Sequence, residues 1–184
     1  MPILHEKIST IILAAGVGKR MKSKTPKVLL RVLGKPIISF VIDLARSIGS
    51  SDIIVVISKH SAEHAELGDD IRFAIQAKPM GSGDAARKGL QQAQQEHALI
   101  LCGDVPLLRK QTIDSLIECH LRQAAHTTVL TCSSSDPSGY GRIIRDRDGF
   151  IAQIVEQTDA TDEQRKINEI NAGVYFGRTG LLKS

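Results

Sequence analysis

The chain has 184 residues, of which 42% are apolar and 24% are charged, so it can bury the core of one domain and wholesale disorder is excluded. Lys and Arg outnumber Asp and Glu by 24 to 20, and this net charge of +4 alone favours neither a small acidic ligand nor nucleic acid. Aromatic residues make up only 3%, which argues against a platform on which nucleic-acid bases stack.

Strand-like and helix-like segments alternate along the first two thirds of the chain. In chain order, apolar runs and helical periodicity predict a strand at 9–14, a helix at 36–48, strands at 52–58 and 71–76, a helix at 82–96, a strand at 98–102, a helix at 113–121 and a strand at 127–131. The near-continuous apolar run at 52–58 is typical of a parallel strand that is covered on both faces of its sheet. The helix at 82–96 is polar, so we expect it on the surface.

The character of the chain changes after Cys132. A turn cluster at 133–139 is followed by short strand-like pieces at 142–145, 150–156 and 170–176, which predict an antiparallel addition. The whole order predicts a single α/β domain that is Rossmann-like, with a mixed sheet that is mostly parallel and has a C-terminal antiparallel part. Ligands bind such sheets beyond the carboxyl ends of the strands, so we expect the chemistry in the turns after the first and fourth strands.

The cysteines and the apolar segments indicate the compartment. The three cysteines, at 102, 119 and 132, form no Cys-x-x-Cys pair, so the sequence predicts neither a disulfide framework nor a zinc site, and we expect a reducing compartment. The N-terminus lacks the apolar segment of a signal peptide, and the apolar runs are too short to span a bilayer. We therefore expect a cytoplasmic protein with no membrane partner.

The turn after the first strand, Leu13-Ala-Ala-Gly-Val-Gly-Lys-Arg-Met21, combines glycines with positive charge. It lacks the third glycine of a dinucleotide-binding fingerprint and the spacing of a P-loop. By itself, a Gly-x-Gly turn is more typical of a tight strand exit, and a run of lysines is more typical of a solvated face. Seven Lys and Arg residues lie between 19 and 35, however, with no acidic residue among them. Because a polyphosphate needs both backbone N–H donors and cations, the combination favours a polyphosphate over the competing anion, nucleic acid.

Asp104 follows the fourth predicted strand, in the sequence Gly103-Asp-Val-Pro. A carboxylate at the carboxyl end of a buried strand can hold Mg²⁺ against substrate phosphates, which is a coordination that Mg²⁺ prefers. From this tetrapeptide alone, a turn aspartate that caps the next segment is an equal alternative. The six histidines show no metal-ligand spacing, and the sequence contains no convincing Ser–His–Asp or Cys–His arrangement.

Taken together, these and further motifs resemble one family. In order, they are Leu13-Ala-Ala-Gly-x-Gly-x-Arg-Met21, Thr25-Pro-Lys-Val-Leu29, Gln76-Ala77, Gly81-Ser-Gly83, Gly103-Asp-Val-Pro-Leu107, Asp136-Pro-Ser-Gly-Tyr-Gly-Arg-Ile143, Ile154-Val-Glu156, Asp159-Ala-Thr161 and Glu169-Ile-Asn171. Over nearly its whole length, the chain resembles the uridylyltransferase domain of the bacterial bifunctional N-acetylglucosamine-1-phosphate uridylyltransferase/glucosamine-1-phosphate acetyltransferase. Other nucleotidyltransferases share the first motif, whereas the later motifs in this order are more specific.

The resemblance implies a GT-A-like nucleotidyltransferase fold and the transfer of UMP from UTP to N-acetylglucosamine 1-phosphate. The products would be pyrophosphate and UDP-N-acetylglucosamine, a precursor of peptidoglycan and lipopolysaccharide in cell wall biogenesis. Mg²⁺ is the implied cofactor, and neither nucleic acid nor a membrane is an implied partner. Two alternatives stay open: a fragment that binds nucleotide without turnover, and a cytidylyltransferase that acts on a polyol phosphate.

The resemblance also implies roles for individual residues. The implied catalytic residues are Arg20, Lys27 and Asp104, with Asp104 as the ligand of Mg²⁺. The implied nucleotide-binding residues are Leu13, Ala14, Ala15, Gly16, Gly18, Gln76, Gly81, Ser82 and Gly103. The implied sugar-binding residues are Gly141, Glu156 and Asn171. The sugar phosphate is already a nucleophile, so this reaction needs no general base and depends on positioning and charge neutralisation.

The sequence departs from the family pattern at several positions. Lys19 replaces a small hydroxyl residue, Ser82 a threonine, Asp84 a histidine, Cys102 an aromatic residue and Ala172 a threonine. In the family, a second metal ligand and a left-handed β-helix domain follow beyond the point where this chain ends. We therefore expect residues 1–184 to form a single uridylyltransferase-like domain that is truncated at its C-terminus. Full-length members would form homo-oligomers through the missing domain.

Overall fold

The computed structural model describes residues 7–16, 25–59 and 67–183. In chain order, the elements are β1 (Ile8–Leu13), a short 3-10 helix (Lys27–Leu29), β2 (Arg31–Val32), β3 (Lys35–Pro36), α1 (Ile37–Ser47), β4 (Asp52–Ser58), β5 (Ile71–Gln76), α2 (Ser82–Gln92), β6 (His97–Cys102), α3 (Lys110–Gln123), β7 (Thr127–Ser133), β8 (Arg142–Arg145), β9 (Ile151–Val155), α4 (Asp162–Arg165), β10 (Glu169–Arg178) and α5 (Thr179–Leu182). Among the described helices, none is long and apolar enough to cross a membrane.

The chain divides into two compact units. The first unit comprises Met1–Thr128 and Tyr175–Ser184, and the second comprises Val129–Val174. Strand β10 therefore begins in the second unit and ends in the first. The single domain expected for residues 1–184 stays a prediction, because two compact units can belong to one domain.

The first unit is built on a mostly parallel sheet. Its strand order is β5-β4-β1-β6, with all of these pairs parallel, and β10 pairs with β6 in the antiparallel direction. The central strand β1 places Ile11 beside Ile54 of β4 and Ile100 of β6, and all three residues belong to the buried core. Helices α1 and α2 pack against β1. Because helices pack against the sheet, its strands carry near-continuous apolar runs, and these runs are what predicted the strands.

Helix α2 lies close to the sheet although its sequence is polar. Its buried residues are Ala85, Gly89 and Leu90. A Cβ at position 89 would collide with Cγ2 of Ile11 and would stand 3.0 Å from Cγ2 of Val56, so only glycine allows this approach of the helix backbone. The predicted helix extended to residue 96, whereas α2 ends at Gln92 because the next residue is already extended, with φ −62° and ψ 130°.

The second unit contains the antiparallel part that the sequence predicted. Strands β8 and β9 form a hairpin, and β10 pairs with both β8 and β7. In the hairpin turn, Asp146 Oδ1 accepts hydrogen bonds from the backbone N–H groups of Asp148 and Phe150, at 3.0 and 2.9 Å. Gly149 has φ +85°, a conformation that favours glycine. The predicted fold class, a mixed and mostly parallel α/β sheet with an antiparallel C-terminal part, is thus confirmed.

The sequence did not predict the hairpin of β2 and β3 or the helices α4 and α5. Each strand of this hairpin has two residues and lies in the basic segment, so no apolar alternation marks it. Its tip, Leu33 and Gly34, has φ values of +52° and +80°. The two helices have four residues each, which is too short for periodicity to appear. Helix α4 begins with a capping box between Thr161 and Gln164.

One buried carboxylate joins the amino ends of three strands in the first unit. Asp52, at the start of β4, accepts hydrogen bonds from Ser9 Oγ of β1 at 2.5 Å and from the backbone N–H of Gln94 at 3.2 Å. Its other oxygen accepts from Nε and Nη2 of Arg72 in β5, at 3.0 and 2.5 Å. The Asp52 side chain is only 6% exposed, so its removal would leave several buried donors without a partner.

Replacement of Asp52 by alanine should therefore destabilise the fold. We expect Asp52→Ala to lower the free energy of unfolding by about 3 kcal/mol, because it strips the partner from a buried ion pair. The matched control is Asp70→Ala, since Asp70 also pairs with an arginine, Arg46, but with a side chain that is 52% exposed. That exposed pair should contribute under about 1 kcal/mol. Urea unfolding of both variants measures the difference, and equal losses would contradict this role of Asp52.

Two buried histidines and a phenylalanine form an aromatic cluster in the first unit. The ring of His97 stacks on Phe176 with centroids 5.4 Å apart, and His120 meets Phe176 edge-on at 4.9 Å. His120 Nδ1 lies 2.9 Å from Thr128 Oγ1. Burial lowers the pKa of both imidazoles below its usual value, and the guanidinium of Arg178 lowers it further.

This cluster makes the stability of the fold depend on pH. The unfolded chain binds protons at these histidines near pH 6.5, whereas the folded chain binds them only at lower pH, so stability present above about pH 6.5 is lost as pH falls. We expect the melting temperature to drop between about pH 7 and about pH 5.5, and to drop less in a His97→Gln/His120→Gln variant. Differential scanning calorimetry at several pH values tests this. Parallel pH profiles for the two proteins would refute it.

Candidate functional site

The carboxyl ends of β1 and β6 lie side by side and form the centre of the candidate site. Leu13 pairs with Cys102 in the parallel register, and the N–H of Gly103 donates to the carbonyl oxygen of Leu13 at 2.9 Å. A Cβ at position 103 would stand 3.0 Å from that oxygen and 3.4 Å from Cγ1 of Val28. Glycine therefore allows the chain to leave β6 close to β1, which delivers Asp104 to this edge.

Lys27 and Asp104 form an ion pair at this edge, 77 residues apart in the sequence, with Nζ and Oδ2 separated by 2.7 Å. Lys27 follows Pro26 at the start of the 3-10 helix, which is anchored by the buried side chain of Val28. The side chains of Lys27 and Asp104 are 40% and 35% exposed, so both charges remain accessible to a ligand. The structure thus brings together two of the three catalytic residues that the sequence predicted. Arg20 lies outside the described residues.

The predicted phosphate-binding turn is described only in its first part. The N–H of Ala14 donates to the carbonyl of Val56 at 2.8 Å, and Ala14 and Ala15 are both buried. Gly16 is exposed, and a Cβ there would meet nothing within 4 Å. The backbone of Gly16 is therefore open to a ligand, while Gly18 lies outside the described residues.

A second group of predicted residues lies where β5 ends and α2 begins. The Gln76 side chain, 5% exposed, donates from Nε2 to the carbonyl of Gly81 and to Oδ2 of Asp84, both at 3.0 Å. Gly81 has φ +94°, and Ser82 is the first residue of α2. The structure therefore brings Gln76 and Gly81 together. It adds Asp84, which the sequence had marked only as a departure from a family pattern.

The Asp84 carboxylate is held in place from two sides. Its Oδ2 accepts from Gln76, and its Oδ1 accepts from Nη2 of Arg87 at 2.6 Å. The hydrogen bond from Gln76 and that from Arg87 together lower the pKa of the Asp84 carboxyl below its usual value. The carboxylate is therefore ionised at neutral pH and can only accept hydrogen bonds.

A cavity of about 310 Å³ lies beside the first part of α2. Two predicted nucleotide-binding residues, Leu13 and Ser82, line it together with Ile100 of β6, Tyr175 of β10 and Leu182 of α5. Neither Lys27 nor Asp104 is among its lining residues. The cavity is therefore separate from the ion pair, although Leu13 contributes to both neighbourhoods.

The three predicted sugar-binding residues lie in the second unit and are close to one another. The backbone N–H of Asn171 donates to the carbonyl of Gly141 at 2.9 Å. A Cβ at position 141 would stand 3.4 Å from Oε1 of Glu156, so the glycine leaves room beside that carboxylate. Oδ1 of Asn171 accepts from the N–H of Gly173 at 2.9 Å.

Arg142 is a buried cation that the sequence did not single out, although it lies in the Gly-Tyr-Gly-Arg-Ile motif. Its guanidinium donates to the carbonyl of Tyr140 and to Oε1 of Gln157, the latter at 2.7 Å. Oε1 of Gln157 also accepts from the N–H of Gly139 at 3.3 Å. The side chain is 1% exposed, and its Nε has no partner among the residues that the structure describes. Arg142 thus fixes the turn that precedes it to the segment that follows β9.

The residues at the carboxyl ends of β1 and β6 fit a Mg²⁺ ion that is held mostly by substrate. Asp104 offers one accessible carboxylate, and no cluster of three or more His, Cys, Asp or Glu side chains suited to a metal occurs in the described ranges. A single carboxylate together with phosphate oxygens and water is a coordination that Mg²⁺ accepts. The protein itself would thus supply one ligand.

A family model described as "MobA-like NTP transferase domain" matches residues 10–165. Among curated proteins, the chain is similar to the bifunctional protein GlmU of Caldanaerobacter subterraneus, with 43% identity over 97% of this chain and 40% of that protein. Its similarity to the bifunctional protein GlmU of Thermoanaerobacter pseudethanolicus is 44% identity over 97% of this chain and 39% of that protein. These relatives confirm the predicted resemblance, and this chain spans about 40% of their length.

Two solved structures share the fold. A protein named as a glucose-1-phosphate thymidylyltransferase of Bacillus anthracis, in complex with sucrose, superposes with a TM-score of 0.74 at 21% identity, over 95% of this chain and 73% of that chain. HddC of Yersinia pseudotuberculosis superposes with a TM-score of 0.69 at 20% identity, over 95% of this chain and 78% of that chain. At these identities, the likeness supports the fold alone.

The Arg142 contacts predict a large stability effect in the second unit. We expect Arg142→Met to lower the free energy of unfolding by about 2 kcal/mol, because it removes the buried donor to the carbonyl of Tyr140 and one of the two donors to Oε1 of Gln157. The control is Arg145→Met in the same strand, since Arg145 pairs with Glu169 through a side chain that is 43% exposed. The control should cost under about 1 kcal/mol. Thermal and urea unfolding would disprove this role of Arg142 if both variants lost the same stability.

Proposed function

Because the chain belongs to the family of MobA-like NTP transferase domains, we propose that it transfers UMP from UTP to N-acetylglucosamine 1-phosphate. The products would be UDP-N-acetylglucosamine and pyrophosphate. The observation that carries the proposal is the accessible Lys27–Asp104 pair at the carboxyl edge of the sheet, with Nζ and Oδ2 2.7 Å apart. The family match and the similarity to the two GlmU proteins support a sugar-phosphate nucleotidyltransferase.

The chemistry requires charge neutralisation more than proton transfer. A phosphate oxygen of the sugar phosphate attacks the α-phosphorus of UTP, the bond from that phosphorus to the bridging oxygen breaks, and pyrophosphate leaves with the electron pair. The attacking oxygen is already anionic, so no general base is needed. Lys27 is placed to neutralise the phosphates, a role that a cation on a flexible side chain can fill.

Mg²⁺, when bound to Asp104 and to phosphate oxygens, would supply further neutralisation of the developing charge. Lys27 and Asp104 neutralise each other in the structure. When ligands bind, Lys27 can pair with a phosphate and Asp104 with a cation, so that neither charge is left unpaired. We further propose Arg20 as a second cation for the triphosphate.

The proposed nucleotide-binding residues are spread over one edge of the sheet. Backbone groups of Leu13 to Gly16 and of Gly18 would bind the phosphates. Gln76, Gly81 and Ser82 would bind the uracil. Three strand spacings of about 4.8 Å separate β5 from β6, so the carboxyl ends of these strands, which lead to Gln76 and Asp104, are about 14 Å apart along the edge. An extended nucleoside triphosphate has a length of this order, so one molecule can reach from the amide to the ion pair.

In the second unit, we propose that the backbone of Gly141 and the side chains of Glu156 and Asn171 bind the sugar. A carboxylate such as that of Glu156 accepts hydrogen bonds from sugar hydroxyls, and the missing Cβ of Gly141 leaves space beside it. A UDP-sugar made in this way would serve cell wall biogenesis. The cytoplasmic location and the oligomerisation of longer relatives stay predictions.

The proposal is tested by the release of pyrophosphate from UTP and N-acetylglucosamine 1-phosphate, with and without Mg²⁺. We expect the rate to require Mg²⁺, and Lys27→Ala and Asp104→Asn to lower it at least about 100-fold, because each removes charge at the transition state. The control pair is Lys110→Ala and Asp114→Asn, since these residues form a similar ion pair, 2.8 Å long, within α3. The controls should keep the wild-type rate.

Three outcomes would contradict the proposal. Full activity in Lys27→Ala or Asp104→Asn would disprove the assigned roles. Equal rates with CTP and a polyol phosphate would indicate the cytidylyltransferase alternative. UTP binding in calorimetry without any release of pyrophosphate would indicate a nucleotide-binding chain without turnover.

A further inference from the structure

We infer that Asp84 is a positioning residue, which fixes the orientation of the Gln76 amide and so makes the site select a nucleobase that donates an N–H group. The inference rests on the proposed function, in which Gln76 contacts the base. It goes further because it assigns a discriminating role to a residue that contacts no substrate. It also predicts which of two pyrimidine nucleotides the site accepts.

The amide nitrogen of Gln76 has two acceptor partners. Nε2 of Gln76 donates to the carbonyl oxygen of Gly81 and to Oδ2 of Asp84, each at 3.0 Å. A backbone carbonyl and an ionised carboxylate can only accept hydrogen bonds. The reversed amide would turn Oε1 towards two acceptor oxygens and would lose both hydrogen bonds. The amide therefore has one orientation, which its partners dictate.

The Asp84 carboxylate is itself held by protein partners. Its Oδ1 accepts from Arg87 at 2.6 Å, and its side chain is only 13% exposed. Asp84 also lies in the first turn of α2, where the helix dipole stabilises a negative charge. Both oxygens are thus assigned, one to Arg87 and one to Gln76, and the carboxylate does not depend on a ligand for its position.

The carbonyl oxygen Oε1 of Gln76 remains for a ligand. Within residues 7–16, 25–59 and 67–183, no group donates a hydrogen bond to Oε1 of Gln76, and Oε1 is not among the fully buried unpaired atoms. The orientation fixed by Asp84 therefore leaves a carbonyl oxygen, and not an amino group, as the hydrogen-bonding atom that Gln76 offers.

This choice of atom discriminates between pyrimidines. Uracil carries an N–H donor at N3, which pairs with a carbonyl oxygen, whereas cytosine has an unprotonated N3 that can only accept. Cytosine would thus place a lone pair against Oε1. A site built around a fixed polar group rejects such an analogue far more strongly than an apolar pocket could. With an amide that is free to rotate, both bases would find a partner.

The experiment measures kcat/KM for UTP and for CTP in the pyrophosphate assay, together with the dissociation constants of both nucleotides by calorimetry. We expect wild-type protein to prefer UTP, and Asp84→Ala to lower the UTP/CTP ratio at least about tenfold. The loss should appear in KM for the nucleotide and not in KM for N-acetylglucosamine 1-phosphate. The isosteric Asp84→Asn keeps the packing but offers one acceptor oxygen for two donors, so its ratio should fall as well.

The control is Asp114→Ala, which removes a helix carboxylate that pairs with Lys110 within α3 and is not a partner of Gln76, and it should keep the UTP/CTP ratio within about twofold. A second readout needs no nucleotide: in ¹⁵N NMR spectra, the side-chain NH₂ protons of Gln76 should exchange and rotate faster in Asp84→Ala than in wild-type protein. Circular dichroism and melting temperature establish that each variant is folded.

The outcomes separate this inference from the proposed function. Turnover of UTP with an unchanged UTP/CTP ratio in folded Asp84→Ala would overturn the role of Asp84 and leave the function standing. A wild-type preference for CTP would overturn the inference directly. If wild-type protein neither binds nor converts UTP or CTP, the proposed function and the inference both fail.

Discussion

The buried carboxylate of Asp52 is the interaction on which the parallel sheet of the first unit depends. It accepts from Ser9 in β1 and from Arg72 in β5, so three neighbouring strands share one acceptor. A shift of one residue in any of them would turn its side chains to the opposite face of the sheet and break these contacts. The backbone N–H of Gln94, shortly before β6, also donates to Asp52, and the pairing of β6 with β1 brings Leu13 beside Cys102 at the other edge. A polar contact at the amino edge thereby determines which residues emerge at the carboxyl edge.

The carboxyl edge gathers its groups by close approach of the backbone. Because Gly103 has no side chain, the chain leaving β6 can bond to the carbonyl of Leu13, and Asp104 then reaches Lys27. Gly89 has the same effect on the helix layer, since it lets α2 lie against Ile11. Glycines of this kind contribute no contact themselves. They set the distances at which other residues meet.

Local patterns in the sequence predicted most of the fold and the location of the charged residues of the candidate site. The apolar runs predicted the buried strands. The position of Asp104 directly after such a run predicted that it lies at the carboxyl edge of the sheet, where the structure has it. The roles of Asp84 and Arg142 could not be predicted in this way, because each depends on partners that the fold supplies. Asp84 meets Gln76 only when β5 leads into α2, and Arg142 meets Gln157 only across the β8–β9 hairpin. Both residues look like ordinary surface charges in the sequence.

The exposure of an ion pair decides whether it can take part in binding. Asp52 is 6% exposed, and stripping such a buried charge of its partner costs about 3–5 kcal/mol, so this pair is permanent. Lys27 and Asp104 are more than a third exposed, and pairs of that kind contribute at most about 1 kcal/mol. The proposed triphosphate and its cation could therefore separate them at little cost, because Lys27 would pair with phosphate and Asp104 with the cation. The weakness of this contact suits the proposed binding and release of highly charged ligands, while Asp52 keeps the neighbouring strands in register.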